Sequence, residues 1–151
     1  MAPAKNQMGC GSCWLFGGMA AVDWLDGKVG DFNSTLSEQQ VLDCSPKAPN
    51  GCNGGFPTDV FNYLPTVGGA TSEREYPYVG KTQNCSFDNR TSTTAGGPPS
   101  GYVRVPKRSR DLVAALQQGV VSFCTAIHRG FCSYPSGILT ECGDSGGGGH
   151  C

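Results

Sequence analysis

Apolar side chains crowd residues 12–25, where Trp14, Leu15, Phe16, Met19, Ala20, Val22 and Trp24 cover most of a helical circumference. That pattern predicts a helix buried on several sides. A second helix is expected after Ser37, whose hydroxyl is placed to cap it, with Gln40 three residues on as the reciprocal partner. Pro57 suits the first turn of a third helix, where its missing N–H costs nothing. Val60, Phe61 and Leu64 fall on one face of that helix, and Gly68-Gly69 is its stop signal. The character of the chain changes at residues 96–100, a Gly-Pro-Ser stretch that reads as a linker. Beyond it, residues 102–105 alternate like a strand, and 120–126 read as another. Between them, 109–118 predict a short amphipathic helix with Leu112, Ala115 and Leu116 inward. The expected fold is α+β in two unequal lobes, a helical one over residues 1–100 and the first part of a sheet lobe over 101–151.

Charge narrows the choice of partners. Eleven basic and 12 acidic residues give a net charge of −1, and no basic tract is present to bind nucleic acid. No apolar run reaches the roughly 18 residues needed to span a bilayer, so no membrane anchor is expected. Nine cysteines point to an oxidising secretory or lysosomal compartment. The sequons at Asn33, Asn84 and Asn89 agree with a glycoprotein, although such triplets also arise by chance. A secretory cysteine content without a signal-peptide pattern at Met1 leads us to expect a portion of a longer precursor.

The chemistry is concentrated at Gln7-Met8-Gly9-Cys10-Gly11-Ser12-Cys13-Trp14. Cys13 falls at a helix N-terminus, where unpaired N–H groups and the positive end of the helix dipole favour a thiolate. A thiolate nucleophile needs an imidazole, and the chain has two histidines. His150 lies 137 positions after Cys13, inside the interval of roughly 130 to 150 that goes with a Cys-Gly-Ser-Cys-Trp nucleophile motif. His128 sits in a turn-like His-Arg-Gly and reads as a surface residue. Other readings of the same letters fit less well. A thioredoxin-type Cys-x-x-Cys follows a strand, yet only nine residues precede Cys10, and a zinc site would need a second such pair or a paired-histidine motif. Gly143-Asp144-Ser145-Gly146-Gly147 imitates a serine-protease nucleophile, but there the histidine precedes the serine, whereas His150 follows it. A purely structural Cys13 is disfavoured by Gln7 and Trp14 beside it and by further motifs downstream.

Those motifs complete a resemblance to the papain family of cysteine peptidases that runs in order along nearly all 151 residues. Leu36-Ser37-Glu38-Gln39-Gln40-Val41-Leu42-Asp43-Cys44 is similar to the family's second signature, in its cathepsin L branch, and Gly51-Cys52-Asn53-Gly54-Gly55-Phe56-Pro57 to its third. Tyr76-Pro77-Tyr78 and Gly137-Ile138-Leu139 also fall in order. The resemblance implies a papain-like two-lobe fold and peptide-bond hydrolysis through an acyl-enzyme, with Cys13 as nucleophile and His150 as its partner. Gln7 and the backbone N–H of Cys13 would hold the oxyanion. Gly11, Gly54 and Gly55 would let a substrate backbone lie close, Phe56 and Pro57 would wall an apolar pocket, and Cys124 would line the same pocket. Implied disulfides are Cys10 with Cys52 and Cys44 with Cys85. Cys124 itself is most simply a small buried hydrophobe, Cys142 resembles a residue whose partner lies past Cys151, and a bridge from Cys132 to another late cysteine stays open.

No metal or cofactor is implied. The implied partners are peptide or protein substrates, an inhibitory pro-segment of a zymogen and cystatin-like inhibitors, in a lysosome, vacuole or extracellular space. The family also implies an asparagine, a tryptophan and further strands beyond Cys151, so the sheet lobe is expected to be truncated. Leu15, Gly149 and Cys151 depart from the family pattern, and Gly149-His150 is closer to the cathepsin B branch. The competing class is a family-derived binding or scaffold domain without catalysis; the retention of Gln7, Cys13 and His150 together favours the enzyme.

Overall fold

The computed structural model describes residues 4–27, 35–46, 51–127, 136–138 and 148–151. Asn33, His128, Cys132, Cys142 and the 143–147 motif lie outside the described residues. Among these residues, four helices and one small sheet follow in order: α1 Cys13–Leu25, α2 Glu38–Cys44, α3 Pro57–Val67, α4 Ser109–Leu116, β1 Thr125–Ala126 and β2 Gly149–His150.

The first three helices form the core. Trp14, Leu15 and Met19 of α1 meet Val41 of α2 and Val60 and Leu64 of α3, all fully buried. The crossing of α1 and α3 is close because Gly18 has no side chain: a Cβ there would lie 2.7 Å from Val60 Cγ2. α1 is buried on several sides, through Trp14, Leu15, Gly18, Met19, Ala21 and Val22, while Ala20 is exposed and Trp24 is 52% exposed.

Capping follows the sequence in part. The Gln40 N–H donates to Ser37 Oγ at 3.0 Å, as expected of a cap. The reciprocal contact is absent, because the Gln40 carboxamide is buried and spends its bonds elsewhere: Oε1 accepts from the Thr71 N–H at 2.8 Å and Nε2 donates to Gly69 O at 3.2 Å. Ser37 N donates instead to Thr71 O at 2.9 Å. In α3, Pro57 opens the first turn, Asp59 Oδ2 accepts from the Phe56 N–H at 3.0 Å, and Gly68 closes the helix in the left-handed region at φ 81°.

The second half departs from its pattern. Residues 102–105 form no strand, and Val103 is 88% exposed. An alternating segment becomes a strand only when a neighbour takes its backbone groups, and none does so among the described residues. α4 forms but ends at Leu116, and Leu112 and Leu116 point to solvent rather than inward. Of 120–126, only Thr125 and Ala126 pair, antiparallel, with Thr125 opposite His150 and Ala126 opposite Gly149.

A buried ionic cluster ties the N-terminal segment to α1 and α2. Lys5 Nζ reaches Glu38 Oε1 at 2.5 Å and Asp23 Oδ2 at 3.6 Å, while Asp23 Oδ1 accepts from the Leu36 N–H at 2.9 Å. Glu73 adjoins Glu38, and each keeps one buried oxygen without a donor. Burial pushes the Glu38 carboxyl up to about 7 and outweighs the opposing pull of Lys5; it raises Glu73 as well. A proton on either carboxyl would supply the donor that the two buried oxygens lack.

Stability is therefore linked to pH with a definite sign. Between the ordinary carboxyl value of 4.5 and about 7, the folded chain holds a proton on Glu38 that the unfolded chain releases, so stability declines as pH rises across that window. The thermal midpoint, followed by circular dichroism, is expected to fall over this range. Glu38→Gln should flatten the decline; an equal slope in both proteins would remove Glu38 as its source.

Candidate active site

The loop that precedes Cys13 is fixed from the side. The Cys10–Cys52 disulfide joins the first glycine-containing motif to the third. Beside it the Gly11 N–H donates to Cys52 O at 2.7 Å, and Gly11 pairs with Asn53 in an isolated parallel bridge. A Cβ on Gly11 would fall 2.4 Å from Cys52 O, so only glycine permits this approach. The Cys44–Cys85 bridge forms as the resemblance implied. Among the described cysteines Cys13 alone is free, half-buried at the first position of α1.

Gln7 lies against the same loop. Its Nε2 donates to Cys10 O at 3.0 Å. An amide nitrogen carries two protons, so one remains after this bond.

His150 arrives from the other end of the chain on β2. The antiparallel register sets Cys124 opposite Cys151, and the two form a disulfide. This corrects the expectation of a free, buried Cys124: it is an exposed, bridged cysteine at the base of the β1–β2 pair. The bridged segment rests on α1. Ser122 Oγ donates to Gly17 O at 2.9 Å, and a Cβ on Gly17 would lie 3.3 Å from the Cys151 carbonyl carbon. Gly17 is one helical turn after Cys13 and shares its face. Ser122 and Cys151, the residue that follows His150, thus lie against α1 one turn after Cys13.

The Gly54 to Pro57 stretch divides its work differently from the expectation. Gly54 has φ 109° with open space around its Cα, so its conformation requires glycine and its surface stays accessible. Gly55 lacks a side chain for an internal reason, because a Cβ there would sit 2.7 Å from the buried Trp14 ring. Phe56, two residues after Gly54, is 70% exposed, whereas Pro57 is buried in the first turn of α3. A cavity of about 310 Å³ is lined by Tyr63, Val67, Phe87, Asp88, Asn89 and the Cys44–Cys85 bridge, and none of the residues from Gly54 to Pro57 lines it.

Sequence reasoning gave no role to Ser12 or to the side chain of Tyr78, yet they meet in the structure. Ser12 Oγ and Tyr78 Oη are 2.6 Å apart, and Tyr78 Oη donates to Gln7 O at 3.0 Å. Contacts across 66 and 71 residues leave no local pattern to read.

The profile of the papain family cysteine proteases matches residues 1–150. The chain belongs to the papain family. It is similar to zingipain-1 of Zingiber officinale, with 37% identity over 93% of this chain and 62% of that protein. It is likewise similar to a cathepsin L-like protein of Caenorhabditis elegans, 38% identical over 91% of this chain and 41% of the relative. The chain thus spans about two fifths to three fifths of these relatives' length. Among solved structures, the Carica candamarcensis cysteine protease CMS1MS2, in complex with E-64, matches with a TM-score of 0.75 and 32% identity over 96% of this chain and 68% of that one. The bromelain protease of Ananas comosus, also in complex with E64, matches with a TM-score of 0.75 and 29% identity over 91% of this chain and 62% of that one. The fold is the α+β papain-like fold, and the papain-family chain keeps its helical core around Trp14.

Gly55→Ala tests the packing reason for that glycine. The methyl would push into the Trp14 ring and is expected to cost about 1–3 kcal/mol, read from urea unfolding. An unchanged urea midpoint would show that the ring moves aside without cost.

Proposed function

We propose that this protein is a cysteine endopeptidase in which Cys13 attacks the peptide carbonyl and His150 serves as general base and acid. The reading is carried by one observation, the contact of Ser122 and of Cys151, the residue that follows His150, with α1 one turn after Cys13. Residues 1–100 would supply the nucleophile side of the cleft and residues 101–151 the histidine side.

The reaction follows from these positions. A thiolate at Cys13 adds to the scissile carbonyl, and the developing oxyanion is held by the remaining Gln7 Nε2 proton and by the N–H groups that open α1. The His150 imidazolium then gives its proton to the leaving amine as the carbon–nitrogen bond breaks, which leaves a thioester on Cys13. Water, deprotonated by the now neutral His150, hydrolyses that acyl-enzyme and restores the thiolate. Open Gly54 allows the substrate main chain to approach, and exposed Phe56 offers an apolar contact beside it. Peptides and proteins are the substrate class, with a pro-segment and cystatin-like inhibitors as further partners. Three disulfides support a secretory or lysosomal route. No helix among the described residues is long and apolar enough to cross a membrane.

A peptidyl epoxide provides the test, with the adduct located by mass spectrometry. Cys13 is expected to be modified in the wild type and to be silent as Cys13→Ser. His150→Ala should slow the labelling by about 10²-fold or more. Modification at Cys132 or Cys142 instead, or none at any cysteine, would point to the non-catalytic binding domain.

A further inference from the structure

Two observations outside the proposed catalytic groups converge on the turn from Gln7 to Cys10. Met8 has φ 56°, in the left-handed region that a side chain rarely adopts, so the turn needs contacts that hold it in this shape. The turn closes on itself through the Met8 N–H to Asn6 Oδ1 at 2.8 Å and the Cys10 N–H to Gln7 O at 3.4 Å, and the segment Tyr78 to Gly80 packs against it from outside. Gly80 has φ 68°, and a Cβ on it would lie 2.8 Å from Met8 Sδ. Tyr78 in turn places its hydroxyl between Gln7 O, at 3.0 Å, and Ser12 Oγ, at 2.6 Å.

The direction of these bonds can be worked out. A phenol has a single proton, and Gln7 O, as a carbonyl, can only accept. Tyr78 therefore donates to Gln7, and Ser12 donates to Tyr78 Oη in preference to Cys10 O, which lies at 3.4 Å. Two linked bonds of this kind strengthen one another away from water, and Ser12 is fully buried. The tyrosine is itself held firmly. Its ring packs edge-on against Phe16 with centroids 5.0 Å apart, and its N–H donates to Glu73 Oε1 at 2.8 Å.

We infer that Tyr78 is a positioning residue for the proposed hydrolysis, fixing Gln7 and the Ser12–Cys13 peptide at the separation that an oxyanion between them requires. The inference rests on the peptidase reading. Tyr78 is a phenol and so keeps the donated proton at neutral pH, and burial raises it further above its ordinary value. Geometry of this kind is steep in its effect, since a misplacement of about 1 Å can cost about 100-fold in rate.

Tyr78→Phe retains the ring on Phe16 and deletes both hydrogen bonds. Two thiol probes separate positioning from general loosening. A peptide aldehyde adds to the Cys13 thiolate, and the carbonyl electron pair moves onto an oxygen that occupies the oxyanion position. Iodoacetamide alkylates the same sulfur with loss of iodide and forms no oxyanion. Aldehyde affinity is expected to fall about 10- to 100-fold in the variant, while the iodoacetamide rate stays within about twofold. Ser12→Ala, which keeps the bond from Tyr78 to Gln7, should give a smaller loss. Equal losses with both probes, or no loss with either, would overturn the inference. If wild-type Cys13 is alkylated yet never binds the aldehyde, the peptidase reading fails on its own. The brace is then judged by hydrogen exchange at the Cys10 and Ser12 amides, where faster exchange in Tyr78→Phe supports it and equal exchange overturns it.

Discussion

Everything around Cys13 depends on how closely two stretches of backbone can lie together, the loop at residues 10–13 and the loop at 52–55. The Cys10–Cys52 bridge brings them together, Gly11 lets the chains touch, and Gly55 admits the Trp14 ring beneath. Each of the three is a requirement about missing or linked atoms rather than an attraction. The start of α1 is thereby clamped before the hydrophobic core below it is considered. Since Trp14 follows Cys13 directly, the buried ring and the free thiol share one backbone anchor.

The second motif has a different task. In α2, Glu38, Gln39 and Gln40 are buried polar side chains, each of which must find partners inside the protein. Gln39 accepts from the Val79 N–H at 2.9 Å and donates to Lys81 O at 2.8 Å, and Asp43 Oδ1 accepts from the Gln83 N–H at 2.7 Å. With the bonds from Gln40 to residues 69 and 71, these side chains replace the ladder that irregular backbone lacks. The run of polar letters that looks like a solvated face is an internal scaffold, and it leads to the Tyr78 segment.

The legible parts of the sequence were those governed by local rules. The three core helices, the Ser37 and Gly68 caps and the nucleophile motif follow from spacing over a few residues. The Cys10–Cys52 and Cys44–Cys85 pairings came from family resemblance. What escaped was set by distance. The Cys124–Cys151 bridge depends on a strand register that no spacing predicts, and the Gln40 amide abandons its own cap for backbone some thirty residues away. Residues 102–105 and α4 show the reverse case. Their patterns are sound, but an apolar stripe or an alternation only becomes buried structure when something packs against it.

The polar side chains of α2 also bear on how this half of the molecule gains and loses order. Residues 69–83 contain no helix or strand of their own, so several of their amides are satisfied only while α2 is docked. In the folded chain the segment and the helix therefore satisfy one another's polar groups. Helix and loops are closed by contacts far apart along the chain, so ordering them costs the loop-closure entropy of the residues between.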